Sequence, residues 1–129
     1  MENLLQSLTA ETSLAWGWGG ISFGFLAGAI LGLFVKKPEW LGGYPTEARK
    51  YIRLGHIAMV ALGMINVLLA FTLKSGFEIP AMTQLLFIVG LIGMPISCFI
   101  TAAKPIAFYL FPVPAMSLFI GSILLIQNL

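Results

Sequence analysis

Histidine occurs once in this sequence, at position 56, inside the run Tyr51-Ile-Arg-Leu-Gly-His-Ile-Ala-Met-Val-Ala-Leu-Gly-Met-Ile-Asn66. Arg49, Lys50 and Arg53 stand at one end of that run, and beyond them no charged side chain follows until Lys74. An imidazole inside an apolar segment is costly unless it has a partner, which makes His56 the first candidate for chemistry. Little else in the chain competes with it. The five acids are all glutamate and none lies inside an apolar run. The single cysteine, Cys98, has no partner for an intrachain disulfide and reads as an inert buried thiol. No phosphate-binding glycine loop, HExxH, CxxC or GxSxG pattern occurs. His56 has no Asp or Cys in sequence reach for a catalytic triad or a zinc site. The residues thus argue against a hydrolase or metalloenzyme, and no catalytic activity of its own is expected.

What one imidazole near an aqueous boundary can do is ligate haem iron. Such a site also needs room for a flat macrocycle and cations for the propionates. On this reading His56 is the metal ligand of a haem b, and Arg53 and Lys50, with Arg49 behind them, meet the propionates. Gly55 lets the ring approach the backbone, and Gly63 clears space two turns on. Met94 is the candidate second ligand, ahead of Met59 and Met64, and a second copy of His56 across a homodimer is the other choice. The opposing expectation is a histidine that only packs helices, hydrogen-bonded to Asn66, Ser97, Thr101 or a carbonyl.

The elements that must position these residues are set by composition. The chain has 129 residues, 59% hydrophobic and only 9% charged, against ~25% charged in a soluble domain. A net charge of +2 without basic clusters among aromatics excludes a nucleic-acid partner. Ser13 to Val35 is a charge-free stretch long enough, at ~1.5 Å per residue, to reach roughly 34 Å. Further spans are expected at about 52–73, 82–103 and 106–126, so that residues 1–129 form one all-α transmembrane domain of four helices in an antiparallel bundle. Lys36-Lys37-Pro38 and Lys104-Pro105 mark turns, and Gly93-Met94-Pro95 predicts a kink. Pro112 and Pro114 would leave the last helix too short unless part of the preceding segment is helical too. Leu4, Leu5 and Leu8 suggest an amphipathic turn on the membrane surface, and no cleavable signal peptide is expected.

Two patterns concern packing. Gly20, Gly24, Gly28 and Gly32 recur every fourth residue, a ridge without side chains that favours close helix approach within the chain or between subunits. On the second span His56, Met59, Gly63, Asn66 and Ala70 share one half of the helix, with Asn66 expected to join helices. On the third, Gly90, Met94, Ser97 and Thr101 share a face. Six of the seven Lys and Arg fall in or beside the first-to-second and third-to-fourth connections. The positive-inside rule then places both termini on the non-cytoplasmic side.

The motif Arg53-Leu54-Gly55-His56-Ile57, following Trp40-Leu41-Gly42-Gly43-Tyr44, resembles one carried by small uncharacterised bacterial four-helix membrane proteins. The resemblance covers about the middle third of the chain. It implies a place in a bacterial energy-transducing inner membrane and transfers no activity or functional residue. The resulting expectation is a haem-b-binding or accessory component of a respiratory or electron-transfer assembly, with the bilayer and a homodimer mate or larger complex as partners. The alternatives are a cofactor-free structural or assembly subunit, or a small oligomeric channel or transporter lined by glycine and hydroxyl faces.

Overall fold

The computed structural model describes residues 8–129, so the expected turn at Leu4 and Leu5 lies outside the described residues. Four helices are long and apolar enough to cross a membrane. They are α1 (Ala10–Phe34), α2 (Glu47–Lys74), α3 (Ala81–Ala103) and a fourth, Pro105–Ile126, made of a 3₁₀ segment at Pro105–Leu110 and α4 (Pro112–Ile126). Their outer faces carry large exposed apolar side chains such as Phe23, Phe25, Leu33 and Phe119, a surface that needs an apolar surrounding.

The helix ends follow local chemistry. α1 begins at Ala10 rather than Ser13 because Thr9 and Thr12 form a reciprocal cap, with Thr12 N–H donating to Thr9 Oγ1 at 3.3 Å. α2 begins at Glu47, five residues before the expected span, so Arg49 and Lys50 join Arg53 as helical residues of its first turns. It ends before Gly76, whose φ of 94° suits glycine. Pro95, where a kink is expected, lies inside the continuous helix α3. Pro112 and Pro114 fall in the first turn of α4, where their missing N–H groups have no helical acceptor anyway. The 3₁₀ segment rises ~2 Å per residue and adds about 12 Å to the roughly 22 Å of α4. Together they form a stretch of 22 residues, Pro105–Ile126, long enough to span.

The helices pack in chain order: α1 on α2, α2 on α3, α3 on α4, with a minor contact between α1 and α3. Among the described residues α1 and α4 form no comparable contact, so the arrangement is an open row rather than a ring. The inner pair carries the core. Of their most apolar windows, 39% of α2 and 44% of α3 is buried, against 17% in each outer helix. Along the α1–α2 seam, partners on α2 fall in number as α1 rises, from Gly17 against Val67, through Gly24 against Val60, to Gly28 against His56.

Glycine permits that approach unevenly. A Cβ at Gly17 would stand 2.8 Å from both Gly63 O and Val67 N, and one at Gly24 would stand 2.5 Å from Val60 Cγ2. At Gly20 the obstruction is Leu91 Cδ1, at 2.8 Å. Nothing lies within 4 Å of Gly32. The seam therefore includes Gly17, which the every-fourth-residue pattern omits, and excludes Gly32, which it includes.

Buried hydrogen bonds tie the row together. Ser13 Oγ donates to Gln84 Oε1 at 3.1 Å between α1 and α3. Asn66 Nδ2 donates to Leu62 O at 2.9 Å and more weakly to Phe87 O of α3 at 3.4 Å. Ser117 Oγ of α4 donates to Leu86 O of α3 at 2.7 Å. Each removes polar atoms from an apolar setting and is worth on the order of 1 kcal/mol.

Candidate functional site

The connection between α1 and α2 is shaped by backbone that few residues adopt. Leu41, Gly42 and Gly43 have φ of 54°, 81° and 110°, the left-handed region that costs a side chain and suits glycine. The carbonyls just before this turn, of Lys37, Pro38 and Trp40, accept from Arg49. Arg49 is only 4% exposed. Its Nε donates to Trp40 O at 2.6 Å, and its Nη2 donates to Lys37 O and, at 3.3 Å, to Pro38 O. The guanidinium centre also lies 5.3 Å from the Trp40 ring and 5.6 Å from that of Tyr44. A guanidinium suits this task because its planar fork supplies several donors at once. Thr46 Oγ1 closes the turn by donating to Leu41 O and Gly43 O, both at 2.9 Å.

Below this clamp lies a hollow of about 210 Å³ between the ends of α1 and α2. Leu31, Val35 and Trp40 wall it, and Arg53 and His56 face it from α2. The Arg53 guanidinium sits 5.2 Å from the Tyr44 ring and forms no ion pair among the described residues. His56 is half-buried, and its Nδ1 is buried without a hydrogen-bond partner. Its Cδ2–Nε2 edge rests on α1 at Gly28, 3.2 and 3.5 Å from the place a Cβ would take. A second, more open hollow of about 440 Å³ continues along the seam beneath His56, walled by Phe25, Ile57, Val60 and Met64.

The other residues expected around His56 are employed elsewhere. The space beside Gly55 is filled by α3, with Phe99 Cε1 2.8 Å and Cys98 Cβ 3.1 Å from a Cβ there. The space at Gly63 is filled by Gly17 O and Ile21 of α1. Met94 packs on the cluster of Ala58, Leu62 and Leu91, and Met59 lines a different hollow, between α1 and α3. Lys50 points to solvent and pairs with Glu47 at 2.7 Å. Gly55, Gly63, Met94 and Lys50 are therefore not gathered around His56 within one chain, whereas Arg53 shares the upper hollow with it and Met64 the lower. The described residues hold no group of three or more His, Cys, Asp or Glu able to share a metal ion.

Asn66 was expected to join helices, and its bond towards Phe87 O does so. The Ser13–Gln84 pair was not expected. Its signal in the sequence was Gln84 itself, an uncharged amide in an otherwise apolar run. The carbonyl clamp at Arg49 was also missed, since no spacing links position 49 to Lys37, Pro38 and Trp40 before the turn is folded. Comparisons with protein-family models, curated proteins and solved structures find no match.

Proposed function

We propose that this chain is an accessory subunit of a larger assembly in a bacterial inner membrane, four helices crossing as an antiparallel bundle with both termini on the non-cytoplasmic side. The observation that carries the reading is the open row. α1 and α4 each bury only 17% of their apolar window and do not close on one another. Two long helix faces are therefore free to pack on a second copy or on another subunit. The cation distribution supports the orientation. The beginning of α2 lies beside the end of α3 and the 3₁₀ segment, which gathers Lys36, Lys37, Arg49, Lys50, Arg53 and Lys104 at one end. Lys74 is at the other, 3.5 Å from Glu11. The resemblance carried by Arg53 to Ile57 favours an energy-transducing membrane.

A structural role fits the residues better than haem ligation or conduction. The haem reading would need Gly55, Gly63 and Met94 to converge on His56. The channel reading would need open small-residue faces, yet α2 fills the space at Gly17 and Gly24, and Leu118 fills that at Gly90. The deciding experiment is extraction from the native membrane in mild detergent, followed by cross-linking and mass measurement. A species heavier than one chain, with cross-links from α1 or α4, is expected. A lone chain without cross-links overturns the proposal. An absorbance spectrum of the same sample tests the other reading, since a Soret band lost in His56→Ala would restore haem.

A further inference from the structure

The two hollows that meet at His56 form one track along the α1–α2 seam, and its ends differ in chemistry. The upper end offers a guanidinium without a carboxylate partner, Arg53, beside Tyr44 at the cation-rich end of the molecule. His56 lies three residues further along α2, about 4.5 Å deeper by helix rise. Its Nδ1 is enclosed by the protein, so Nε2, on the edge that rests at Gly28, is the ring nitrogen open to a ligand. Below it the walls are entirely apolar, from Phe25 and Val60 to Met64. An anion over a hydrogen-bond acceptor over hydrocarbon is the order of groups in a phospholipid. Its phosphate stands outermost, its ester carbonyls a few ångströms deeper, and its acyl chains beyond.

We propose that this track binds one anionic glycerophospholipid, its phosphate at Arg53, an ester carbonyl at the His56 imidazole and an acyl chain along the seam beneath. Gly28 and Gly32 make the space, Gly28 by letting the imidazole rest on α1 and Gly32 by leaving the upper hollow open. Arg49 also lines the hollow, but its Nε and Nη2 donors are committed to the loop carbonyls, and its main role is to hold the Trp40 wall in place. A free inorganic anion would satisfy Arg53 but leave Leu31, Val35 and Trp40 facing an unfilled hollow. The inference rests on the membrane reading alone and holds whether or not the chain assembles with others.

The test uses the full chain purified in mild detergent, with lipid retention read by native mass spectrometry. The probes are dioleoyl phosphatidylglycerol, dioleoyl phosphatidylcholine and inorganic phosphate. One phosphatidylglycerol per chain is expected, retained about fivefold better than phosphatidylcholine, the effect of one interfacial cation. Arg53→Gln should lower retention by a similar factor. Gly32→Leu should abolish it, because a Cβ there meets no protein atom within 4 Å and the side chain beyond it would occupy the hollow, with an unchanged melting temperature showing that the fold is kept. Lys50→Gln, outside the track, should retain lipid normally. Wild-type retention in both Arg53→Gln and Gly32→Leu would overturn the site. So would an equal loss in Lys50→Gln, which would mean bulk charge attraction, or displacement of the lipid by millimolar phosphate.

Discussion

Replacing Gly17 by alanine adds one methyl group, and the structure indicates that α1 and α2 would have to separate to admit it. The new carbon would stand 2.8 Å from Gly63 O and 2.8 Å from Val67 N, both backbone atoms, and 2.7 Å from Val67 Cγ2. Side-chain rotation can relieve only the last of these. A shift of ~0.6 Å or more at the crossing would be needed to restore ordinary contact, and gaps of 0.5–1 Å forfeit a quarter to a half of the dispersion energy of the atoms involved. Overpacking of this kind costs about 1–3 kcal/mol. Opposing it is the helix preference of alanine over glycine, up to about 1 kcal/mol, so a net loss of about 1–2 kcal/mol is expected. Gly19→Ala and Gly32→Ala are the controls. They lie on the same helix with nothing within 4 Å, and should be neutral or slightly stabilising. Unfolding titrations in mixed micelles, followed by circular dichroism, measure all three. If Gly17→Ala unfolds at the same denaturant fraction as Gly19→Ala, the close crossing of α1 and α2 is wrong.

Arg49→Ala should release the loop carbonyls and speed Lys-specific proteolysis at Lys36 and Lys37 several-fold. Arg49→Lys, which keeps the charge but lacks the fork, should fall between it and wild type, and identical digestion of all three would refute the clamp. Gln84→Leu should leave Ser13 Oγ without its α3 acceptor and destabilise by on the order of 1 kcal/mol. Its unfolding midpoint checks this, with no change expected on adding Ser13→Ala to the same chain. Accessibility tags at residues 1 and 129 should report from the non-cytoplasmic side, and a cytoplasmic signal from both would reverse the orientation.

The four spans and the grouping of cations at one end were legible in the sequence. Both depend on the transfer free energy of each segment, a sum over its own residues that needs no knowledge of neighbours. Which of Gly55, Gly63 and Met94 stands beside His56 was not legible, because neighbours decide which side of a helix is free. Gly55 precedes His56 by one position around α2, about 100° away, and that rotation turns it to α3 and Phe99 while His56 faces α1. The glycine ridge shows the same limit. Residues four apart drift about 40° per step around a helix, so Gly32 has rotated some 80° from Gly24 and leaves the seam. Gly17, seven residues before Gly24, returns to within about 20° and joins it. The turn at Leu41, Gly42 and Gly43, and the approach of Arg49 to the carbonyls of Lys37, Pro38 and Trp40, likewise arise only when α1 and α2 meet. Composition therefore determined that the chain has four apolar helices and which ends carry charge. Tertiary contact decided which small residues meet a partner, which polar groups are satisfied and which are left without one, enclosed at His56 Nδ1 and open at Arg53.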